Sequence, residues 1–165
     1  MPGGRFDIAA VPQAAGHLIP WAGGDLALRI AQGPGQQPIV ISQLDVSRLL
    51  QAKAAIAAGI LTLLHRVGLQ QRQIRSLYLA GGFGTRLDRS HAIGCGLLPG
   101  FRPQQVQTVG NSALAGAYLA LLDSSVINEL CTIGRKMEIV ELNLDPQFES
   151  RYIDQLVLPD PAAAP

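Results

Sequence analysis

The chain has 165 residues, with 13 Lys and Arg against 12 Asp and Glu, and a formal net charge of +1. It is 48% hydrophobic and only 15% charged, which excludes disorder as the main state, because disordered chains are apolar-poor and rich in net charge. Cys95 and Cys131 stand far apart with no Cys-x-x-Cys pair, so no disulfide scaffold, zinc ribbon or self-contained iron–sulfur cluster is expected.

Residues 1–43 read as short strands broken by Gly and Pro, at 6–10, 25–31 and 38–42, with a turn at Gln32-Gly33-Pro34-Gly35. Ser42-Gln43-Leu44-Asp45 has the spacing of a capping box. A helix follows over 44–67, with Val46, Leu49, Leu50, Ile56, Ile60, Leu63, Leu64 and Val67 at helical spacing. Its middle is mostly Ala and Gly, which lets another backbone approach closely. Gly68 ends it.

A strand at 76–80 runs into Gly81-Gly82-Phe83-Gly84. A short helix is predicted at 88–93, a turn at 97–100 and a strand at 106–109. Asn111 suits the N-cap of a helix over 112–122. A helix at 125–135, a strand around 137–142 and a last helix from 145 to about 156 complete the chain. Residues 160–165 form a Pro/Ala tail that is expected to fray. The reading is one α/β domain over 1–159 with a mainly parallel sheet. Its strand-rich opening is 1–43 and its core 44–159.

No apolar signal core follows Met1-Pro2-Gly3-Gly4-Arg5. The longest apolar stretch, 54–64, is shorter than the roughly 20 residues a bilayer needs. A cytoplasmic protein without a membrane partner is expected. Charge is segregated: from 48 to 102 there are eight Lys and Arg and one acid, and from 123 to 160 eight acids and three Lys and Arg. The basic residues are single and spaced, so nucleic acid is not an expected partner.

The informative chemistry lies at two strand ends. Glycines at the carboxyl end of a buried strand permit a sharp turn and direct backbone contact with a ligand. Gly81-Gly82-Phe83-Gly84 lacks the third glycine and the later acid of a dinucleotide fingerprint, and no P-loop exists. Gly110-Asn111 repeats the arrangement, a strand end feeding the positive end of a helix. Taken singly, each fits a tight turn or close packing. Two in one α/β unit make a ligand crevice credible. His17, His65 and His91 have no partners at metal-ligand spacing, and Ser90-His91 is no triad.

Leu79-Ala80-Gly81-Gly82-Phe83-Gly84 followed by Gly110-Asn111-x-Ala113-x-Ala115-Gly116-Ala117 resembles the adenosine motif and second connecting helix of actin-like (ASKHA) ATPases. Ile41-x-Gln43-x-Asp45, Ala52-Lys53-Ala54-Ala55-Ile56-x-Ala58-Gly59-Ile60, Leu87-Asp88, Gly96-Leu97-Leu98-Pro99 and the ending Leu156-Val157-Leu158-Pro159 narrow it. Together they resemble the C-terminal part of reductive activators of corrinoid proteins, over roughly residues 38–159.

The resemblance implies an RNase H-like lobe with a mainly parallel or mixed sheet and packed helices. It implies an adenosine site at Gly81, Gly82, Phe83 and Gly84, closed by Asn111, with Lys53 at the adenine edge or, alternatively, a solvated helix lysine. It further implies ATP or ADP with Mg²⁺, a corrinoid protein whose cob(II)amide returns to cob(I)amide, and a 2Fe–2S domain elsewhere in the family protein. The low charged fraction, 15%, leaves apolar surface to cover, so a homodimer is expected as well. This chain carries no Asp-x-Gly phosphate motif and no cluster cysteines, so catalysis by it alone is not expected. A dimerisation or partner-docking module of the same fold is the alternative.

Overall fold

Strand pairing divides the protein into an antiparallel sheet and a parallel pair, joined by one long helix. The computed structural model describes residues 17–159; the strand expected at 6–10 and the tail at 160–165 lie outside them. Strands β1 (Leu18–Pro20), β2 (Leu26–Gln32) and β3 (Pro38–Ser42) form an antiparallel meander, irregular between Arg29 and Ala31. Strands β4 (Leu77–Ala80) and β5 (Val106–Gly110) pair in parallel, with Leu77 opposite Val106.

Helix α1 (Gln43–Arg66) begins where the sequence placed its cap. Asp45 N–H donates to Ser42 Oγ at 3.2 Å, while Ser42 N–H and Oγ–H donate to Asp45 Oδ2 at 2.9 and 2.7 Å. Such a cap is worth about 1 kcal/mol. The Ser42 bonds, side chain before backbone, hold the Asp45 carboxyl below its ordinary range.

Helix α1 buries a small-residue stripe and Leu50, while several of its large residues stay exposed. Leu49, Ile56, Leu63 and Val67 are exposed, whereas Lys53, Ala54, Ala57, Ala58, Gly59 and Thr62 are buried. This small-residue stripe lets the C-terminal segment lie close, and helix α6 (Phe148–Asp154) packs along it. Arg151 Nη1 donates to Thr62 Oγ1 at 3.1 Å and to Asp145 Oδ1 at 3.3 Å. Among the described residues α1 alone has the length and composition to cross a membrane; here its stripe is buried within the domain.

On another side, Ile60 and Leu64 of α1 meet the main core of Ala92, Leu98, Phe101 and Val106. Leu77 and Leu79 of β4 join it, and α3 (Arg89–Gly94) supplies Ala92. Short helix α2 (Gly82–Arg86) follows β4. Helices α4 (Ser112–Leu122) and α5 (Ser125–Lys136) follow β5 and bury no residue.

Two expectations fail. No strand forms around 137–142: the segment finds no partner ladder among the described residues, Ile139 is 87% exposed, and Leu142–Leu144 is a 3-10 turn. A β-favouring segment makes a strand only with a neighbour to bond. The last helix starts at Phe148 rather than 145, because Pro146 keeps Asp145 extended (φ −75°, ψ 121°).

A Cβ added at Gly59 meets Leu142 Cδ1 at 3.3 Å. Gly59→Leu therefore overpacks this contact and lowers stability by roughly 1–3 kcal/mol in thermal or urea melts. An unchanged melting temperature means the stripe is open.

Candidate functional site

The glycine ends of β4 and β5 meet. Gly81 N–H donates to Gly110 O at 2.7 Å, and the ladder shifts register so that Ala80 faces Gly110. Gly81 (φ 96°, ψ 165°) and Gly110 (φ 73°) hold backbone angles that side chains resist. Open space lies where a Cβ would sit on Gly81 or Gly82. Backbone is thus presented at the carboxyl edge of a parallel pair, the edge where open α/β sheets bind ligands.

Gly84 has a different task. Its Cβ would stand 3.2 Å from Leu79 Cβ, so this glycine lets α2 fold back on β4. Phe83 between them is 75% exposed, an apolar ring free to lie against a flat ligand. Thr85 Oγ1 donates to Gly82 O at 2.7 Å and steadies the turn.

Asn111 caps α4 as expected, its Oδ1 accepting from Leu114 N–H at 3.1 Å. The first turn of an eleven-residue helix thus opens beside Gly110, its dipole favouring negative charge.

Lys53 is neither solvated nor part of this edge. It is 1% exposed, and its ammonium donates to Val157 O at 2.6 Å. Gly96 (φ 80°) makes room for it: a Cβ there would stand 3.0 Å from Lys53 Nζ and 2.9 Å from Pro159 Cγ. Sequence reasoning missed this lock. The Ile93-Gly94-Cys95-Gly96 run was its only local sign, since the other partners lie a hundred residues away.

Gly81, Gly82, Phe83, Gly110 and Asn111 are therefore brought to one edge, while Lys53 ties α1 to the chain's last described residues. The chain's two cysteines cannot supply the four thiolates of a 2Fe–2S cluster, and no metal-binding group of His, Cys, Asp and Glu occurs among the described residues.

A family model described as the C-terminal domain of RACo, the ASKHA domain, matches residues 22–165. The chain belongs to this family. The match begins well before residue 38, where the motifs alone located it. The corrinoid activation enzyme RamQ of Eubacterium limosum is 34% identical over 122 residues, 74% of this chain and 21% of RamQ. The Co(II) methylated amine-specific corrinoid protein reductase of Methanosarcina barkeri is 30% identical over 130 residues, 78% of this chain and 23% of the reductase.

A solved reductive activator for corrinoid, iron-sulfur protein matches at TM-score 0.81 and 33% identity, over 94% of this chain and 25% of that one. The chain thus spans about a fifth to a quarter of these relatives. Its fold is that of the ASKHA domain, with one parallel pair and one antiparallel sheet.

Burial pushes the Lys53 ammonium below its ordinary 10.5, the nearby Cys95 opposing the shift. Between the folded and ordinary values the unfolded chain holds more protons, so stability rises with pH across that window. Lys53→Met removes this rise. Urea melts from neutral pH to about 10.5 check it; parallel pH profiles for both proteins contradict a buried, depressed lysine.

Proposed function

We propose that this ASKHA domain holds the adenosine side of a nucleotide site in an ATP-dependent reductive activator of a corrinoid protein. The observation carrying the reading is the bonded pair of strand ends, Gly81 to Gly110, with open backbone at Gly81–Gly82. Adenine and ribose pack against Gly81, Gly82 and Phe83, and Gly84 keeps the turn tight beneath them. Asn111 fixes the first turn of α4 at the other wall. Such a wall orients the nucleoside through shape and backbone contact.

Phosphoryl transfer further requires groups that hold Mg²⁺, clamp the phosphates and position water. The Asp-x-Gly motif that holds phosphate is absent from this chain, so in this reading the wall supplies the nucleoside contacts and not those groups. The same holds for the electron that returns cob(II)amide to cob(I)amide. Names of the matched relatives support a corrinoid protein as partner.

ADP should bind this chain weakly. In a chemical-shift titration the largest changes are expected at 81–84 and 110–112, and changes confined elsewhere overturn the assignment. Gly82→Val should abolish binding with an unchanged melting temperature, because its Cβ enters open space.

A second reading, a docking module that self-associates, draws on the α4–α5 hairpin. Helix α4 has no charged residue, and Leu114, Tyr118, Leu121 and Leu122 are all exposed. Ile127, Leu130 and Ile133 line one exposed stripe of α5. A helix apolar all round is ordinarily buried, and contiguous apolar surface of this kind marks interaction sites. The chain should form a homodimer or larger species at micromolar concentration. Leu121→Glu with Leu122→Glu should return it to monomer in light scattering. A wild-type chain that is already monomeric removes this reading.

A further inference from the structure

Positive charge collects at the opposite end of the parallel pair from the glycines. Arg72 lies in the 3-10 turn Gln71–Gln73, and Arg75 two residues before β4. Arg102 caps the turn Pro103–Gln105, which opens directly into β5. The two turns are laced together. Gln105 Nε2 donates to Gln71 O at 3.2 Å and to Ile74 O at 2.5 Å, and Gln107 Nε2 to Ser76 Oγ at 3.3 Å. Arg89 reaches the same end, its Nη1 donating to Val106 O at 3.1 Å.

All four arginines are exposed, and none forms an ion pair among the described residues. The acid next to them in the chain is already engaged. Asp88 beside Arg89 caps α3, its Oδ1 accepting from His91 N–H at 2.8 Å and lying 3.6 Å from the His91 ring. Like charges held on short, cross-linked turns focus a positive field that only an external anion can relieve.

We propose that Arg72, Arg75, Arg89 and Arg102 form a docking ledge for an acidic protein surface, one presenting clustered carboxylates. Guanidinium forks match carboxylates in paired, planar hydrogen bonds. Nucleic acid fits the ledge poorly. Single strands need a run of exposed aromatic platforms for stacking; Phe101 beside Arg102 is 1% exposed, and Tyr78 of β4, 60% exposed, is a single ring. A duplex needs an element long enough to enter a groove, and these arginines stand on short turns and at the start of a six-residue helix. The ledge lies at the amino end of β4 and β5 and the glycines at the carboxyl end, so both can be occupied together. The proposal does not rest on the nucleotide reading.

The test uses the whole chain and two probes, an alternating Glu–Ser peptide and an oligothymidylate of equal charge. The peptide should bind at low salt, shift the amides of Arg72, Arg75 and Arg102, and weaken about tenfold at 0.15 M ionic strength. The triple variant Arg72→Ser, Arg75→Ser, Arg102→Ser should lose about tenfold in peptide affinity, with its melting temperature unchanged. Arg48→Ser with Arg135→Ser, which removes the same sign of charge elsewhere, should lose little. Equal losses in the two variants, peptide shifts outside the ledge, or tighter binding of the oligothymidylate each overturn the proposal. If the triple variant melts early, Arg75→Glu alone replaces it, and undiminished peptide binding then counts against the ledge.

Discussion

Close approach along α1 is the constraint on which the rest of this domain depends. Ala54, Ala58 and Thr62 recur every four residues and so share one side of the helix, with Gly59 at its border and Ala57 buried beside it. Small side chains gain little from burial individually. Their contribution is distance, because they let α6 and Leu142 come near enough for many weak contacts to add up. Polar groups then fix the register. Thr62 accepts from Arg151, Arg151 reaches Asp145 and Gln147, and Lys53 donates to Val157.

Lys53 shows what that closeness demands. An ammonium buried with no carboxylate partner among the described residues carries a desolvation cost, visible as a pKa below the ordinary lysine value. Its bond to Val157 O offsets part of that cost and leaves no buried side-chain nitrogen or oxygen unbonded among the described residues. Glycine at 96 is the matching condition, since any side chain there would press on both Lys53 and Pro159. A longer neighbour at Gly96 would therefore disturb α1 and the C-terminal strap together.

Local features were legible in the sequence, and long-range ones were not. The Ser42–Asp45 box, the Asn111 cap and the span of α4 depend on residues a few positions apart, so spacing alone located them. The two glycine strand ends were legible for the same reason, and their meeting followed from parallel α/β topology. Burial of Lys53 depends on Val157, 104 positions away, and no local pattern encodes it. The Ala/Gly middle of α1 was legible as a close-packing face, but which of its large residues stay exposed depends on neighbours far along the chain. Met137 to Leu142 carries the β-favouring pair Ile139-Val140, yet with no neighbour to bond among the described residues it stays unpaired.

Asn111 joins two parts of this molecule that otherwise differ in kind. Its predecessor, Gly110, closes the open glycine edge by accepting from Gly81, and its own side chain fixes the first turn of α4. Beyond that cap, α4 and α5 bury nothing, so the hairpin's direction is set largely at Gly110–Asn111 rather than by a core beneath it. The register shift that sets Ala80 opposite Gly110 falls at the same strand end. This end thus both bonds the Gly81 backbone and starts the apolar hairpin. The backbone angles that only glycine tolerates there are what make the two compatible.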